Sequence, residues 1–133
     1  MLEEQLTYTI IGCAMRVHAT LGPGFLESVY EGALAHELHK QGIAFTRQRS
    51  IDVYYDGVQV GHFIADILIG ERLIVELKAI HALTEAHEMQ LVNYLAATRV
   101  DVGLLFNFGA GELEFKRKHR HYQKTNGATG EKE

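Results

Sequence analysis

The chain has 133 residues, 47% of them hydrophobic and 23% charged, and a net charge of −4, which suits a single domain with a sizeable core and excludes wholesale disorder. No apolar run approaches the roughly 20 residues that cross a bilayer, and the N-terminus begins with acids rather than with a basic signal-peptide region, so we expect a soluble, cytoplasmic protein that does not bind a membrane. The only cysteine, Cys13, excludes an internal disulfide and a zinc finger.

Two amphipathic helices are predicted first. From Glu3 to Leu21, apolar residues recur at spacings of three and four, which is typical of a helix with one buried face. The sequence Gly22-Pro23-Gly24 then ends this helix. A second helix is predicted over residues 26–41, and Gly42 provides its C-terminal stop.

The period of the sequence changes after Gly42. Residues 45–55, 58–69 and 73–77 are rich in β-branched and aromatic side chains, and glycine-containing turns separate them. Such runs joined by short turns predict three or four antiparallel strands.

A helix and two further strands are predicted for the rest of the chain. The helix runs from Thr84 to about Thr98, a buried strand follows at residues 102–108, and an edge strand lies at about 113–118. Because the helix forms a crossover between strands, we predict an α/β fold with a mixed sheet flanked by helices. Residues 1–121 are predicted to form one domain, and residues 122–133 a disordered tail.

The hairpin between the second and third predicted strands carries the most informative polar residues. Glu76 and Lys78 lie two apart in a strand and therefore point to the same face. If residues 70–72 form a three-residue connection, Asp66 lies opposite Glu76, and a two-residue turn would place the two carboxylates on opposite faces. The alternation also favours this register, because only the first register gathers on one face the odd-numbered apolar set Ile67, Ile69, Leu73, Val75 and Leu77.

Paired carboxylates in this register call for a cation. Directly opposed residues have Cβ atoms about 4.5–5.5 Å apart, so Asp66 and Glu76 would repel each other. A divalent ion or the nearby Lys78 would relieve that repulsion. Oxygen ligands of this kind suit Mg²⁺ or Mn²⁺ rather than Zn²⁺.

Each of these polar residues also has an ordinary structural explanation. The carboxylates and the lysine of the hairpin are consistent with a surface salt bridge. Glu27 is favoured in the first turn of a helix by the helix dipole. Gln90 and Tyr94 lie four residues apart on one stripe of the third predicted helix, where a core tyrosine and a solvent-facing glutamine are the alternative.

Together these residues resemble a known family. The segment GFLESVY at residues 24–30 is similar to the signature of the GxxExxY proteins, a prokaryotic group in the PD-(D/E)XK nuclease superfamily. Asp66 matches the strand aspartate of that superfamily, and residues 76–78 match its E-x-K motif. Residues 90–94, QLVNY, are similar to the Q-x-x-x-Y motif of its exonuclease-like branch. The resemblance covers nearly the whole predicted domain.

The resemblance implies a restriction-endonuclease-like core and Mg²⁺-dependent (or Mn²⁺-dependent) hydrolysis of phosphodiester bonds. In that chemistry Asp66 and Glu76 would hold the metal, and Glu27 would be a further ligand or would orient a water molecule. His18 occupies the first helix, where some relatives supply a histidine ligand; a polar residue at a helix end is the alternative.

The remaining motif residues would act on the water and the phosphate. The resemblance implies that Lys78 steadies the attacking water or the charge that develops on the phosphorus oxygens. Gln90 and Tyr94 would position the phosphate or the lysine.

Three functions remain open at this stage. The first is a nuclease that acts on DNA rather than RNA, with the basic residues 116–121 on phosphates, although these residues also suit a solvated edge strand. The second is a non-catalytic binding or assembly module that serves a protein partner or forms a homo-oligomer. The third is a metal-dependent hydrolase of small phosphates, which suits the 15 Asp and Glu against 7 Lys and Arg in residues 1–115.

Overall fold

The computed structural model describes residues 3–120, and these form three helices and five strands. In chain order the elements are α1 (Glu3–Leu21), α2 (Glu27–Lys40), β1 (Thr46–Tyr55), β2 (Val58–Ile69), β3 (Leu73–Lys78), α3 (Glu85–Thr98), β4 (Val102–Asn107) and β5 (Glu114–His119).

The strands form one mixed sheet in the order β1-β2-β3-β4-β5. The strands β3 and β4 are parallel, and the other neighbours are antiparallel. The parallel pair requires a crossover connection, which α3 provides. The predicted α/β fold with a mixed sheet flanked by helices is therefore confirmed, as is the edge position of the last strand. The five-stranded mixed sheet with helices on both faces agrees with the restriction-endonuclease-like core that the resemblance implies.

The observed elements differ from the predicted ones only in their bounds, by about one residue. Three strands precede α3, within the predicted three or four. The helix α2 begins at Glu27, and Leu26 is its N-cap without a side-chain capping hydrogen bond. The predicted disordered tail, residues 122–133, lies outside the residues that the structure describes. Within residues 3–120, no helix combines the length and the apolar composition needed to cross a bilayer.

The sheet buries a hydrophobic core on each of its faces. The helices α1 and α2 pack on one face and α3 packs on the other, because successive side chains of β3 and β4 point alternately to the two sides. The first core includes Ile10, Leu34, Val75, Leu77 and Phe106. The second core includes Ala65, Ile74, Leu91, Leu95 and Leu105.

A buried asparagine fixes the connection between β3 and α3. Asn107 is fully buried, and its Oδ1 accepts hydrogen bonds from the backbone N–H groups of Ile80 at 2.9 Å and Gly109 at 3.0 Å. Its Nδ2 donates to Glu114 Oε1 at 2.8 Å, and the same oxygen accepts the Leu83 N–H at 3.0 Å. Because each of these polar groups has a partner, the segment that follows β3 is held in one conformation.

The close approach of this segment to Gly109 is testable. A Cβ at Gly109 would overlap the backbone nitrogen and oxygen of Ile80, so Gly109→Ala should lower the free energy of unfolding by about 1–3 kcal/mol. Gly111→Ala is the matched control, because nothing lies within 4 Å of a Cβ there. Urea denaturation of both variants measures the effect, and equal stability of the two would contradict this packing.

Candidate active site

Asp66 and Glu76 face each other where the β2–β3 hairpin stops being a regular ladder. Its last regular pair is Ile67 with Val75, so Asp66 and Glu76 come next, in the register that the apolar residues predict. Beyond that pair, side-chain oxygens replace backbone carbonyls as hydrogen-bond acceptors. The Asp66 N–H donates to Glu76 Oε2 at 3.2 Å, and the Leu77 N–H donates to Asp66 Oδ2 at 2.8 Å. The backbone of each strand thus fixes the carboxylate of the other.

Burial makes this pair electrostatically costly. Glu76 is only 7% exposed, and its burial, together with the neighbouring Asp66 charge, raises its pKa to about 8. Burial also raises the pKa of Asp66, and the Glu31 charge adds to that rise. At pH 7 the metal-free pair therefore keeps a proton on Glu76, which a bound cation would displace.

The loop before α2 is tied to the first core and sets where that helix begins. The Tyr30 hydroxyl donates to the Gly22 carbonyl and accepts the Phe25 N–H at 3.1 Å. The Tyr30 ring stacks on Phe108 with 4.8 Å between centroids. These contacts hold the turn and place Glu27 at the N-terminus of α2, as predicted for a first-turn acid.

Glu27 and Lys78 lie within electrostatic range of the carboxylate pair. Partial desolvation and then the Asp66 charge raise the pKa of Glu27, and the Lys78 charge lowers it. Lys78 also opposes the rise in the pKa of Glu76. Among residues 3–120, the Lys78 ammonium makes no ion pair within 4.0 Å. Lys78 is half-buried near the acids. Because it has no ion-pair partner within the described residues, its ammonium is available to a ligand.

A second buried acid, Glu31, joins this group and was not predicted. It is 5% exposed, and it accepts hydrogen bonds from Arg47 Nε at 3.0 Å and Gln48 Nε2 at 2.7 Å. The same Gln48 nitrogen donates to Asp66 Oδ1 at 3.3 Å. The spacing of four between Glu27 and Glu31 is the signal that places both on one stripe of α2. No comparable signal marks Gln48.

The structure places Tyr94 on the Glu76 side of the sheet and leaves Gln90 exposed. The Tyr94 ring stacks on Phe63 with 3.7 Å between centroids. Burial raises the pKa of Tyr94, with further contributions from Glu76 and Asp66. Gln90 lies one turn earlier on α3 and, in the described part of the chain, makes no side-chain hydrogen bond.

His18 lies against the first core. Its Nε2 donates to the Ala110 carbonyl at 2.9 Å, since a carbonyl oxygen only accepts. Its ring is tilted against Phe108 at 6.3 Å. The suggestion that His18 is a further metal ligand stays a prediction.

The donor set of the site suits a hard divalent cation. Within residues 3–120, no group of three or more His, Cys, Asp or Glu side chains has an arrangement that could hold a metal ion. Mg²⁺ does not require such a group, because it is usually held by one or two carboxylates together with waters and substrate phosphate oxygens. Asp66 and Glu76 supply two carboxylates of this kind, so the residues present fit Mg²⁺ or Mn²⁺.

The basic segment 116–121 is partly neutralised by acids of the fold. Lys118 pairs with Glu88 at 2.6 Å, and Arg120 pairs with Asp101 at 2.8 Å. Lys116 and Arg117 of this segment are exposed, and His121 lies outside the described residues. Within the described part, two cations of the segment therefore remain open to solvent.

The mixed sheet, the opposed carboxylates of its central hairpin and the lysine two residues on define a nuclease-like α/β domain. The family model of the PD-(D/E)XK nuclease superfamily matches residues 4–118. The chain belongs to the PD-(D/E)XK nuclease superfamily, whose members generally use divalent metals, and this supports a nuclease-like function. No curated protein matches the chain.

The raised pKa of Glu76 leads to a stability test. Its folded pKa of about 8 lies above its ordinary value of 4.5. The native state therefore holds a proton that the unfolded state releases between these values, and stability falls as the pH rises through this window. Glu76→Gln should remove this decline, which amounts to up to about 4 kcal/mol between pH 5 and 8.

Urea denaturation in a chelator, at several pH values, measures this decline. Glu112→Gln is the matched control, because Glu112 is exposed, and it should keep the wild-type dependence on pH. The same slope in Glu76→Gln and in wild type would contradict the burial of an acidic proton at Glu76.

Proposed function

We propose that this chain is a Mg²⁺-dependent nuclease that hydrolyses phosphodiester bonds of DNA. The observation that carries the proposal is the pairing of Asp66 and Glu76 at the end of the β2–β3 ladder, with Lys78 on the same strand as Glu76. A buried carboxylate beside a half-buried one is costly unless the pair holds a proton or a cation. Membership of a nuclease superfamily supports the choice of a cation.

Asp66 and Glu76 would hold the metal, which is Mg²⁺ or Mn²⁺. When bound, such an ion polarises the phosphate and lowers the pKa of a coordinated water. Glu27, at the N-terminus of α2, would orient a water molecule or serve as a further ligand. The support for this role is the electrostatic coupling of Glu27 to both Asp66 and Lys78.

Lys78 would stabilise charge at the reacting phosphate. Water attacks the phosphorus, the bond to one ester oxygen breaks, and a phosphomonoester and an alcohol result. Negative charge builds on the phosphorus oxygens in the transition state, and a fixed ammonium stabilises it there. Tyr94, half-buried beside the acids, and Gln90, one turn away, would position the phosphate or the lysine.

The choice of DNA rests on the superfamily and on the exposed cations of β5. Lys116 and Arg117 would contact phosphates, because cations close to the backbone supply most of the affinity for nucleic acid. The acidic body favours a second candidate, a hydrolase of small phosphates, since long polyanions are repelled by its excess of 15 acids over 7 bases in residues 1–115.

Removal of the lysine ammonium should abolish most of the activity without loss of the fold. Lys78→Ala should cleave a labelled DNA oligonucleotide with Mg²⁺ about 100 to 1,000 times more slowly, the usual cost of losing one transition-state donor. Lys40→Ala is the matched control, because Lys40 pairs with Glu37 on the surface, and it should keep wild-type rates. Undiminished cleavage by Lys78→Ala would mean that Lys78 has no part in the reaction. Faster turnover of mononucleotides than of any oligonucleotide would favour the second candidate.

Metal binding should depend on pH in a defined direction. Glu76 must release its proton to bind Mn²⁺, so below its pKa of about 8 the affinity should fall by about tenfold per pH unit. Calorimetric titration of Mn²⁺ at pH 6, 7 and 8 measures this, and Asp66→Asn should bind at least tenfold more weakly at each value. No binding by wild type at millimolar Mn²⁺ would remove the basis of both hydrolase candidates.

A further inference from the structure

We propose that Gln48 is a positioning residue: its side-chain amide bridges Glu31 and Asp66, and so fixes the orientation of the Asp66 carboxylate. The inference deepens the proposed function and rests on it, because a fixed Asp66 matters to the reaction only if Asp66 binds the metal. The geometry of the bridge is independent of that function.

A continuous chain of hydrogen bonds runs from the surface to the carboxylate pair. Arg47 Nε and Gln48 Nε2 occupy the two oxygens of Glu31, at 3.0 and 2.7 Å. Gln48 Nε2 also donates to Asp66 Oδ1 at 3.3 Å, and Asp66 Oδ2 accepts the Leu77 N–H at 2.8 Å. Both oxygens of Asp66 therefore have a fixed donor, and Gln48 supplies the one that comes from a side chain.

The amide also separates two acids that would otherwise repel each other. Glu31 is buried, and its charge raises the pKa of Asp66. A primary amide carries two N–H groups on one nitrogen, so it can donate to both carboxylates at once. A side chain without such donors would leave the buried Glu31 and the half-buried Asp66 without the hydrogen bonds that now link them.

The backbone of Gln48 is in an unusual conformation for its position. Its φ is +52° inside β1, a left-handed region that side chains other than glycine occupy at a cost. The other described residues of this kind, apart from glycines, are Asp56 (φ 55°) in the β1–β2 turn and Arg99 (φ 62°) at the C-cap of α3. Left-handed residues are common in turns and caps. Turn or cap geometry therefore does not explain the positive φ of Gln48, which lies inside a strand.

The left-handed residue Gln48 lies opposite an irregularity in the neighbouring strand β2. The β1–β2 pairing includes Arg47 with Ile67 and Arg49 with Ala65, and it omits the intervening pair of Gln48 and Asp66. Ala65 belongs to the second core and Ile67 to the first, although they lie two residues apart. The regular alternation of β2 is thus interrupted at Asp66, opposite Gln48, which leaves the Asp66 side chain free to reach across to β3.

Two substitutions separate the bridge from the backbone strain. Gln48→Gly removes both the amide and the strain, because glycine adopts positive φ freely. Gln48→Ala removes the amide and keeps the strain. We expect Gln48→Ala to melt lower than Gln48→Gly, because only the glycine variant relieves the strain. In both variants, amide hydrogen exchange of Leu77 in chelator should accelerate at least tenfold, whereas Phe108, whose N–H donates to the Lys78 carbonyl, should keep its protection.

The second measurement is the affinity for Mn²⁺ by calorimetry, which should fall about 10- to 100-fold in both variants, as is usual when a partner of a ligand is removed. Arg99→Gly is the matched control, because it relieves the same kind of strain at a helix cap and should leave Leu77 exchange and Mn²⁺ affinity unchanged.

The outcomes separate the two proposals. Wild-type Leu77 exchange in both Gln48 variants overturns the positioning role, whatever the metal data. If wild type binds no Mn²⁺, the proposed function fails, and accelerated Leu77 exchange alone still supports the role of Gln48. Accelerated exchange with unchanged Mn²⁺ affinity would limit the bridge to the fold and overturn its link to the site.

Discussion

The carboxylates of Asp66 and Glu76 take the place of backbone carbonyls where the β2–β3 ladder stops, and each accepts an N–H from the opposite strand. The hydrogen bonds fix their positions, and their burial makes two negative charges in that space costly. Other polar groups of the site reduce the repulsion between these two carboxylates. A proton on Glu76, the Lys78 ammonium and the Gln48 amide each reduce the repulsion. A divalent cation would do so most effectively.

The fold brings these groups together from both sides of the sheet. The helix α2 packs on the first core and carries Glu27 and Glu31 on one stripe, while α3 packs on the second core and presents Tyr94. The hydrogen bonds of Asn107 hold the segment after β3 that leads into α3. The hydrophobic cores thus set the distances between the polar groups, and an acidic hairpin alone would not form the same site.

Most of the fold and the centre of the site follow from local patterns in the sequence. The odd-numbered apolar residues 67 to 77 predict the hairpin register, and that register places Asp66 opposite Glu76. The bridge formed by Gln48 could not be predicted in this way, because it depends on a left-handed residue within β1 and on an interrupted alternation in β2. Glu31 carries a spacing signal relative to Glu27, but its burial depends on how α2 packs on the sheet and on the side chains of Arg47 and Gln48 in β1. Sequence periodicity predicts regular helices and strands, whereas the contacts of Gln48 arise at an irregular position of the β1–β2 ladder.

The most direct test of a cation between the paired acids is crystallographic. Crystals of the wild-type chain soaked in Mn²⁺ should give an anomalous difference peak in contact with carboxylate oxygens of both Asp66 and Glu76, and crystals of Asp66→Asn soaked in the same way should lack it. A wild-type map without a peak at these two side chains, at a Mn²⁺ concentration that occupies other acidic groups, would contradict the account.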